Sequence, residues 1–203
     1  MAVITIGGGS GSGKTTFARR LIERIGEEHC TLLSLDRFYA DHPELSFEER
    51  CTQNYDHPQS IDTPLLVQCV YELSHGRAFD APQYDFVNHR RQETPERLPA
   101  TNILIVEGIF ALYYPEVMEL SDLKIFVDVD DDLQFARRLM RDMVERERTA
   151  QSVYKQYIQT VKPMCQSYIS PTRNNADFIV HTHGECQYSK VLEVLAAWLG
   201  TLA

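Results

Sequence analysis

The 203-residue sequence predicts an α/β fold, a parallel sheet with helices on both faces, and three observations carry that expectation. Short, continuously apolar runs recur along the chain, helical patterning follows most of them, and residues 8–15 at the first strand–helix junction read G-G-S-G-S-G-K-T. Strands that are apolar on both sides alternate with helices where a sheet is covered on both faces. The octapeptide is a full match to the phosphate-loop pattern G-x-x-x-x-G-K-[ST].

The first element is the strand Val3–Ile6, which leads directly into that loop, and the first helix follows with Phe17, Ala18, Leu21, Ile22 and Ile25 at helical spacing. Gly8, Gly9, Gly11 and Gly13 let the backbone turn its N–H groups inward as an anion nest at the positive end of the helix. The segment from Gly8 to Thr16, Ser10 and Ser12 included, is therefore expected to hold the phosphate donor, ATP with GTP as an alternative. Lys14 would reach the outer phosphates and the Thr15 hydroxyl would ligate Mg²⁺. A flexible Gly/Ser turn is the other reading, but a plain turn needs neither the Lys-Thr pair nor the spacing.

Further strands are expected at Thr31–Leu35, Asn102–Val106, Leu123–Val129 and Phe178–Val180, giving a sheet of the phosphate-loop NTPase type. Such sheets collect ligands at the carboxyl ends of their strands, which singles out Asp36, Glu107 and Asp128. Asp36 would face a bound γ-phosphate as a general base and sit near the metal; it could equally cap a short helix. Glu107, followed by Gly108, is the preferred second Mg²⁺ carboxylate. Asp128 leads into Asp130–Asp132 and reads more as the acidic start of the next helix. Between these strands a helix fits Pro64–Ser74, with Asp62 or Thr63 as cap and Pro64 in its first turn. Residues 77–98 read as irregular chain or a short inserted β-ribbon.

A long helix from about Asp131 to Arg148 places Leu133, Ala136, Leu139, Met140, Met143 and Val144 on one side, expected to be core. At about 100° per residue, Arg137, Arg138, Arg141 and Arg148 gather on another side, with Arg146 turned toward the following segment. A solvated face paired with Glu145 and Glu147 is the ordinary reading of such a cluster; a phosphate loop in the same chain favours an anion site.

Composition bounds the function. A net charge of −9 and a pI near 5.2 argue against a surface that neutralises a nucleic-acid backbone. The 43% hydrophobic content suits one core, and no second folding unit is expected. Cys30, Cys51, Cys69, Cys165 and Cys186 are odd in number and widely spaced, so neither a disulfide framework nor a zinc site is suggested. His181 and His183 have i, i+2 spacing but no evident third ligand. No targeting or membrane-spanning stretch is apparent, and a cytoplasmic protein is expected, without membrane or nucleic-acid partners.

The chain resembles the uridine–cytidine kinase family of phosphate-loop kinases. The similarity rests on D-R-F-Y at 36–39, F-E-E-R at 47–50, N-Y-D-H-P at 54–58, P-Q-Y-D-F-V-N-H-R at 82–90, V-E-G-I at 106–109, R-R-L-M-R-D-M-V-E-R at 137–146 and Q-Y-I-Q-T-V-K-P-M at 156–164. It implies one kinase domain over residues 1–203, with a nucleoside-binding insertion near 77–98 and a helical lid near 137–165. It also implies phosphorylation of the 5′-hydroxyl of uridine or cytidine, with Asp36 as base and with Thr15, Glu107 and Asp36 at the Mg²⁺. Asp56 and Arg138 would hold the sugar, Tyr39, Tyr84, Phe86, His89 and Gln156 the rest of the nucleoside, and Arg141, Arg146 and Arg148 would close over the triphosphate. A homotetramer is what the family suggests. A phosphoribulokinase-like or other small-metabolite kinase, or a nucleotide-binding regulatory module, are the alternatives.

Two departures stand out. The family's lid commonly reads E-R-G-R where this chain has Glu145-Arg146-Glu147-Arg148, and its P-R-G-G segment is here His181-Thr182-His183-Gly184. Glu147 is expected to point outward and pair with a lid cation, competing with ATP for it.

Overall fold

In a computed structural model of the chain, which describes residues 1–183 and 188–201, each expected apolar run forms a strand. The chain runs through β1 (Ala2–Gly7), α1 (Lys14–Ile25), β2 (Cys30–Ser34), α2 (Phe47–Cys51) and α3 (Thr63–Ser74). Two small ribbons follow, β3 (Phe79–Ala81) paired with β6 (Glu96–Leu98) and, inside it, β4 (Tyr84–Asp85) paired with β5 (Arg90–Arg91). The remaining elements are β7 (Ile103–Glu107), α4 (Pro115–Glu119), β8 (Leu123–Asp128), α5 (Asp131–Glu145), α6 (Ala150–Gln156), α7 (Lys162–Met164), β9 (Phe178–His181) and α8 (Ser189–Gly200).

The central sheet has five parallel strands in the order β2-β7-β1-β8-β9. Alternation along β7 shows how both faces are filled. Ile103 and Ile105 point to the side covered by Phe17 and Leu21 of α1 and Leu192 of α8, while Leu104 and Val106 point to the side covered by Leu66, Cys69 and Val70 of α3. Asp62 caps α3, accepting from the Leu65 N–H at 3.2 Å, and Pro64 occupies the first turn, where its missing N–H costs nothing.

Register brings the candidate site residues to one edge. Ile6 of β1 and Ser34 of β2 both lie opposite Glu107 of β7, so the phosphate loop after β1, the segment after β2 and the Glu107 carboxylate share one end of the sheet. Asp36 lies in a 3-10 turn, Leu35–Phe38, whose N-cap Ser34 makes no side-chain cap bond, and Asp36 itself is inside the turn rather than capping it.

The long helix differs from expectation in two ways. It ends at Glu145, and the side buried is Gln134, Arg138 and Asp142, whereas Leu133, Met140, Met143 and Val144 are exposed. Periodicity identifies the two faces but not which one turns inward. Here the polar stripe does, because α5 lies across the phosphate loop: a Cβ on Gly11 (φ +93°) would sit 2.4 Å from the Gln134 carbonyl oxygen. The guanidinium of Arg138 donates there through Nη1 to Ser10 Oγ at 2.7 Å and through Nη2 to Gln156 Oε1 at 3.2 Å, contacts with segments remote in sequence, while its buried Nε has no hydrogen-bond partner and lies 3.5 Å from Asp142.

Beyond α5 the chain turns at Glu147, whose φ of +53° is left-handed, and the Arg148 N–H donates back to the Asp142 carbonyl at 3.1 Å. α6 then continues through π turns at Tyr157–Val161 and Cys165–Ile169 on either side of α7. Pro163 within α7 explains the widening, since it has no N–H to donate and crowds the preceding turn. The expectation that Glu147 pairs with a lid cation does not hold: its side chain is in no ion pair found among the described residues. A non-glycine residue in the left-handed region costs about 1–2 kcal/mol, less the ~0.5–1 kcal/mol of extra backbone entropy that glycine loses on folding. Glu147→Gly is therefore expected to raise the urea midpoint by the equivalent of up to about 1 kcal/mol with the slope unchanged; a lower midpoint would show that the turn carries no strain.

Candidate active site

The phosphate loop folds back on itself, the Ser12 N–H donating to the Gly9 carbonyl at 3.0 Å. Gly8 (φ +143°) leaves room for the Val127 carbonyl oxygen, which a Cβ would meet at 2.4 Å, so the loop can only be this close to β8 as glycine. The Thr182 hydroxyl donates to the Ser12 carbonyl at 2.6 Å from behind, and Arg137 donates to the Thr182 carbonyl at 2.7 Å. Thr182 thus ties the loop to β9. His183 and His181 stack at 5.6 Å and lie beside Asp130 and Asp128 at 3.4 and 3.8 Å. Gly184 and Cys186 lie outside the described residues.

At the sheet edge the Thr15 hydroxyl donates to Glu107 at 3.0 Å. Burial pushes the Glu107 carboxyl up, against the pull of Lys14 beside it; burial lowers the Lys14 ammonium, against the pull of Glu107 and Asp36. The hydroxyl and carboxylate form an all-oxygen donor set suited to a hard divalent cation completed by waters and phosphate oxygens. Asp128 is elsewhere, paired with Arg173 at 3.4 Å and lining neither cavity.

Two adjoining cavities open here. One of about 720 Å³ is lined by Gly11, Gly13, Lys14, Thr15 and Thr16 of the loop and helix start, with Glu107, Arg137 and Arg141. The other, of about 800 Å³, is lined by Tyr39, Tyr55, Asp56, His89, Ile109, Arg138, Arg148 and Gln156. Lys14, Asp36, Tyr84, Phe86, Arg141 and Arg146 line both. They form a shared wall.

The second cavity is aromatic above and charged below. Tyr39 meets the rings of Tyr84 at 5.2 Å and Tyr55 at 5.4 Å, and Tyr84 meets Phe86 at 5.4 Å. The β4–β5 turn presents Phe86 and His89, held by Asp85, whose carboxylate accepts from the Val87 and Asn88 N–H groups. The ribbon is anchored by Arg91, which donates to the Tyr39 carbonyl at 3.0 Å and to Asp62 at 3.0 Å. Asp56 is buried, 3.9 Å from Arg138, and accepts from the Thr160 hydroxyl; burial pushes its carboxyl up, opposed by Arg138.

The lid arginines are not all in the first cavity. Arg146 lies over the Phe86 ring at 4.9 Å, where a turn away toward the following segment was expected, and Arg148 bonds Gln156 and Ser152 at the second cavity. Two participants were not singled out from sequence. Tyr55, which stacks on His89 at 4.9 Å, adjoins Asp56 in N-Y-D-H-P, and Asp142 follows Arg138 by one helical turn within the arginine run.

The chain matches the description "Phosphoribulokinase / Uridine kinase family" over residues 3–189. It is 43% identical to a uridine kinase of Ligilactobacillus salivarius over 91% of this chain and 87% of that one. It is 42% identical to a uridine kinase of Deinococcus deserti over 98% and 95%. Among solved structures, phosphoribulokinase from Rhodobacter spheroides superposes with a TM-score of 0.67 at 14% identity, over 89% of this chain and 69% of that one, a likeness of fold.

His89 gives the site a pH signature. It takes a left-handed φ of +50°, and burial, then Arg146 and Arg148, lowers its imidazole below the usual 6.5. The folded state then binds fewer protons than the unfolded one below that value, so stability is lost as pH falls through it. Asn tolerates the left-handed backbone. Wild-type stability is expected to decline more steeply than that of His89→Asn between about pH 7 and 5; equal slopes in urea titrations would place His89 in solvent.

Proposed function

The chain belongs to the phosphoribulokinase/uridine kinase family, and from that premise we propose a nucleoside kinase that transfers the terminal phosphoryl group of ATP to the 5′-hydroxyl of uridine or cytidine. The observation that carries the reading is the wall common to the two cavities, with Asp36, Lys14 and Arg141 between a phosphate loop and an aromatic, histidine-bearing pocket. A phosphoribulokinase-like acceptor would not need the rings of Tyr84, Phe86 and His89, and the relatives at 42–43% identity are uridine kinases. A regulatory module without catalysis would not need Lys14, Thr15, Asp36 and Glu107 at one sheet edge.

In this proposal the Asp36 carboxylate accepts the proton of the 5′-hydroxyl as that oxygen bonds to the γ-phosphorus and the bond to the β–γ bridging oxygen breaks, releasing ADP. The nest from Gly8 to Thr16 and Lys14 hold the donor's phosphates, and Arg141 and Arg146 face the migrating group. Thr15 and Glu107, with Asp36 nearby, would hold Mg²⁺, which when bound neutralises charge on the β- and γ-phosphate oxygens. Asp56, next to Arg138, would accept from sugar hydroxyls, and the aromatic rings stack on the pyrimidine. His89 can donate to a uracil carbonyl or accept from a cytosine amine according to tautomer. ATP is the expected donor, with GTP as the alternative.

The same proposal places the protein in the cytoplasm as a homo-oligomer. No helix among the described residues is long and apolar enough to cross a membrane. The exposed stripe of Leu133, Met140, Met143 and Val144 on α5 supports association between copies.

A coupled assay of ADP release with a panel of nucleosides and small alcohols tests the substrate class: release specific to uridine and cytidine supports it, and release with ribulose phosphates alone overturns it. Asp36→Asn keeps size and hydrogen bonding while removing the base, so kcat is expected to fall by about 10²–10⁴ with nucleoside binding kept. Near-normal turnover would remove Asp36 from the base role. Met140, 62% exposed, tests association: Met140→Glu should lower the mass seen by light scattering while changing protomer stability by no more than about 0.5 kcal/mol. An unchanged mass would free this face of the role.

A further inference from the structure

The arginines of the lid share one counter-ion. The Asp142 side chain is fully buried, and its carboxylate lies 2.8 Å from Arg141 Nη2, 3.5 Å from Arg138 Nε, 3.8 Å from Arg146 Nε and 3.9 Å from Arg148 Nη1. Burial would push this carboxyl up, and Arg141, Arg138 and Arg146 more than offset that, holding it below the usual carboxylate range. Only the Arg141 contact is of hydrogen-bond length; the other three guanidiniums are attracted without being locked. The other partners of the four guanidiniums are spread across the site. Arg138 and Arg141 reach Ser10 of the phosphate loop, Arg146 lies on Phe86, and Arg148 reaches Gln156.

We propose that Asp142 is a positioning residue: its single buried carboxylate holds four mutually repelling guanidiniums as one array spanning the phosphate and nucleoside cavities, leaving an excess positive charge that a phosphoryl group completes. The proposal rests on the kinase reading for what binds and goes beyond it in naming a residue that touches neither substrate. Other carboxylates near the array are Asp56, 3.9 Å from Arg138 and also attracted by Arg146; Asp36, which attracts Arg146 and lines both cavities; and Glu145, which lines both cavities without an ion pair among the described residues, but none of these is within 4 Å of more than one of the four guanidiniums. Asp142 therefore carries most of the internal compensation. Its backbone carbonyl also accepts from the Arg148 N–H, so the same residue fixes where the lid turns back. An aspartate suits this place because its short side chain keeps the carboxylate at the helix surface, within reach of residues one turn before, one residue before, and four and six residues after it.

Asp142→Asn tests the role, because it keeps the shape and removes the charge. With the internal counter-ion gone, misplaced guanidiniums should lower kcat by about 10- to 100-fold. The same loss adds one unit of uncompensated positive charge to the array, so inorganic phosphate should inhibit the variant more tightly, its inhibition constant against ATP falling at least about fivefold. A merely structural role would lower the melting temperature and leave the phosphate response as in wild type. That result, or weaker phosphate inhibition, overturns the proposal. Should the variant not fold in phosphate-free buffer, it is refolded with inorganic phosphate: recovery supports the array, and failure to recover overturns it. Wild-type ADP release with uridine and cytidine, measured alongside, separates this outcome from a failure of the kinase reading, since phosphate binding is also read, without any nucleoside, as the rise in melting temperature that added inorganic phosphate gives, expected to be larger for the variant than for wild type.

Discussion

The contact between α5 and the phosphate loop sets much of what surrounds it. The loop approaches β8 and α5 so closely that Gly8 and Gly11 have no space for a side chain, and Gln134 fills the position over Gly9, where a Cβ would meet its amide at 2.5 Å. A helix pressed that tightly against a polar loop cannot offer it methionines and leucines. It turns its Gln134, Arg138 and Asp142 side inward, and the guanidiniums follow into the crevice. The exposed apolar stripe and the backward turn at Glu147 are two results of that single orientation.

The site is assembled at some expense to the fold. Lys14, Glu107 and Asp56 are all buried, and in each the desolvation of the charged form is the leading influence on its protonation. Burying an ionised group is tolerable when a partner of opposite sign is nearby, and Lys14 with Glu107 and Arg138 with Asp56 are such pairs. Two residues, His89 and Glu147, are also held in left-handed backbone conformations; His89 lines the second cavity, and Glu147 lies between the cavity-lining Arg146 and Arg148. Strain and buried charge gather where ligands are expected, as they do in sites organised ahead of substrate binding.

Much of this was legible in the sequence. All five central strands, the phosphate loop and its helix, the Asp62 cap with Pro64, and the ribbon within residues 77–98 follow from apolar runs and turn chemistry, which are local signals. The acids at strand ends could be ranked by their neighbours, and Glu107 rather than Asp128 stands beside Lys14. The inward face of α5 was not legible, because periodicity alone assigns apolar residues to the core, and the partners that make an arginine stripe buriable come from Ser10, Asp56 and Gln156, far apart in the chain. Asp142 was hidden for the same reason. One acid among four arginines reads as ordinary charge balance until the distances show that all four converge on it.

The contact of Arg146 with Phe86 has a consequence for side reactions. Water is the most abundant hydroxyl near any activated phosphoryl group, and a kinase that closes over ATP alone would spend it by hydrolysis. Arg146 rests on Phe86 of the β4–β5 ribbon at 4.9 Å, and on the proposed reading that contact would link the donor side to the acceptor side. Fidelity toward the intended acceptor would then come in part from the contact of a ring with a guanidinium, and the rate of futile turnover would be a property of how ribbon and helix fit together.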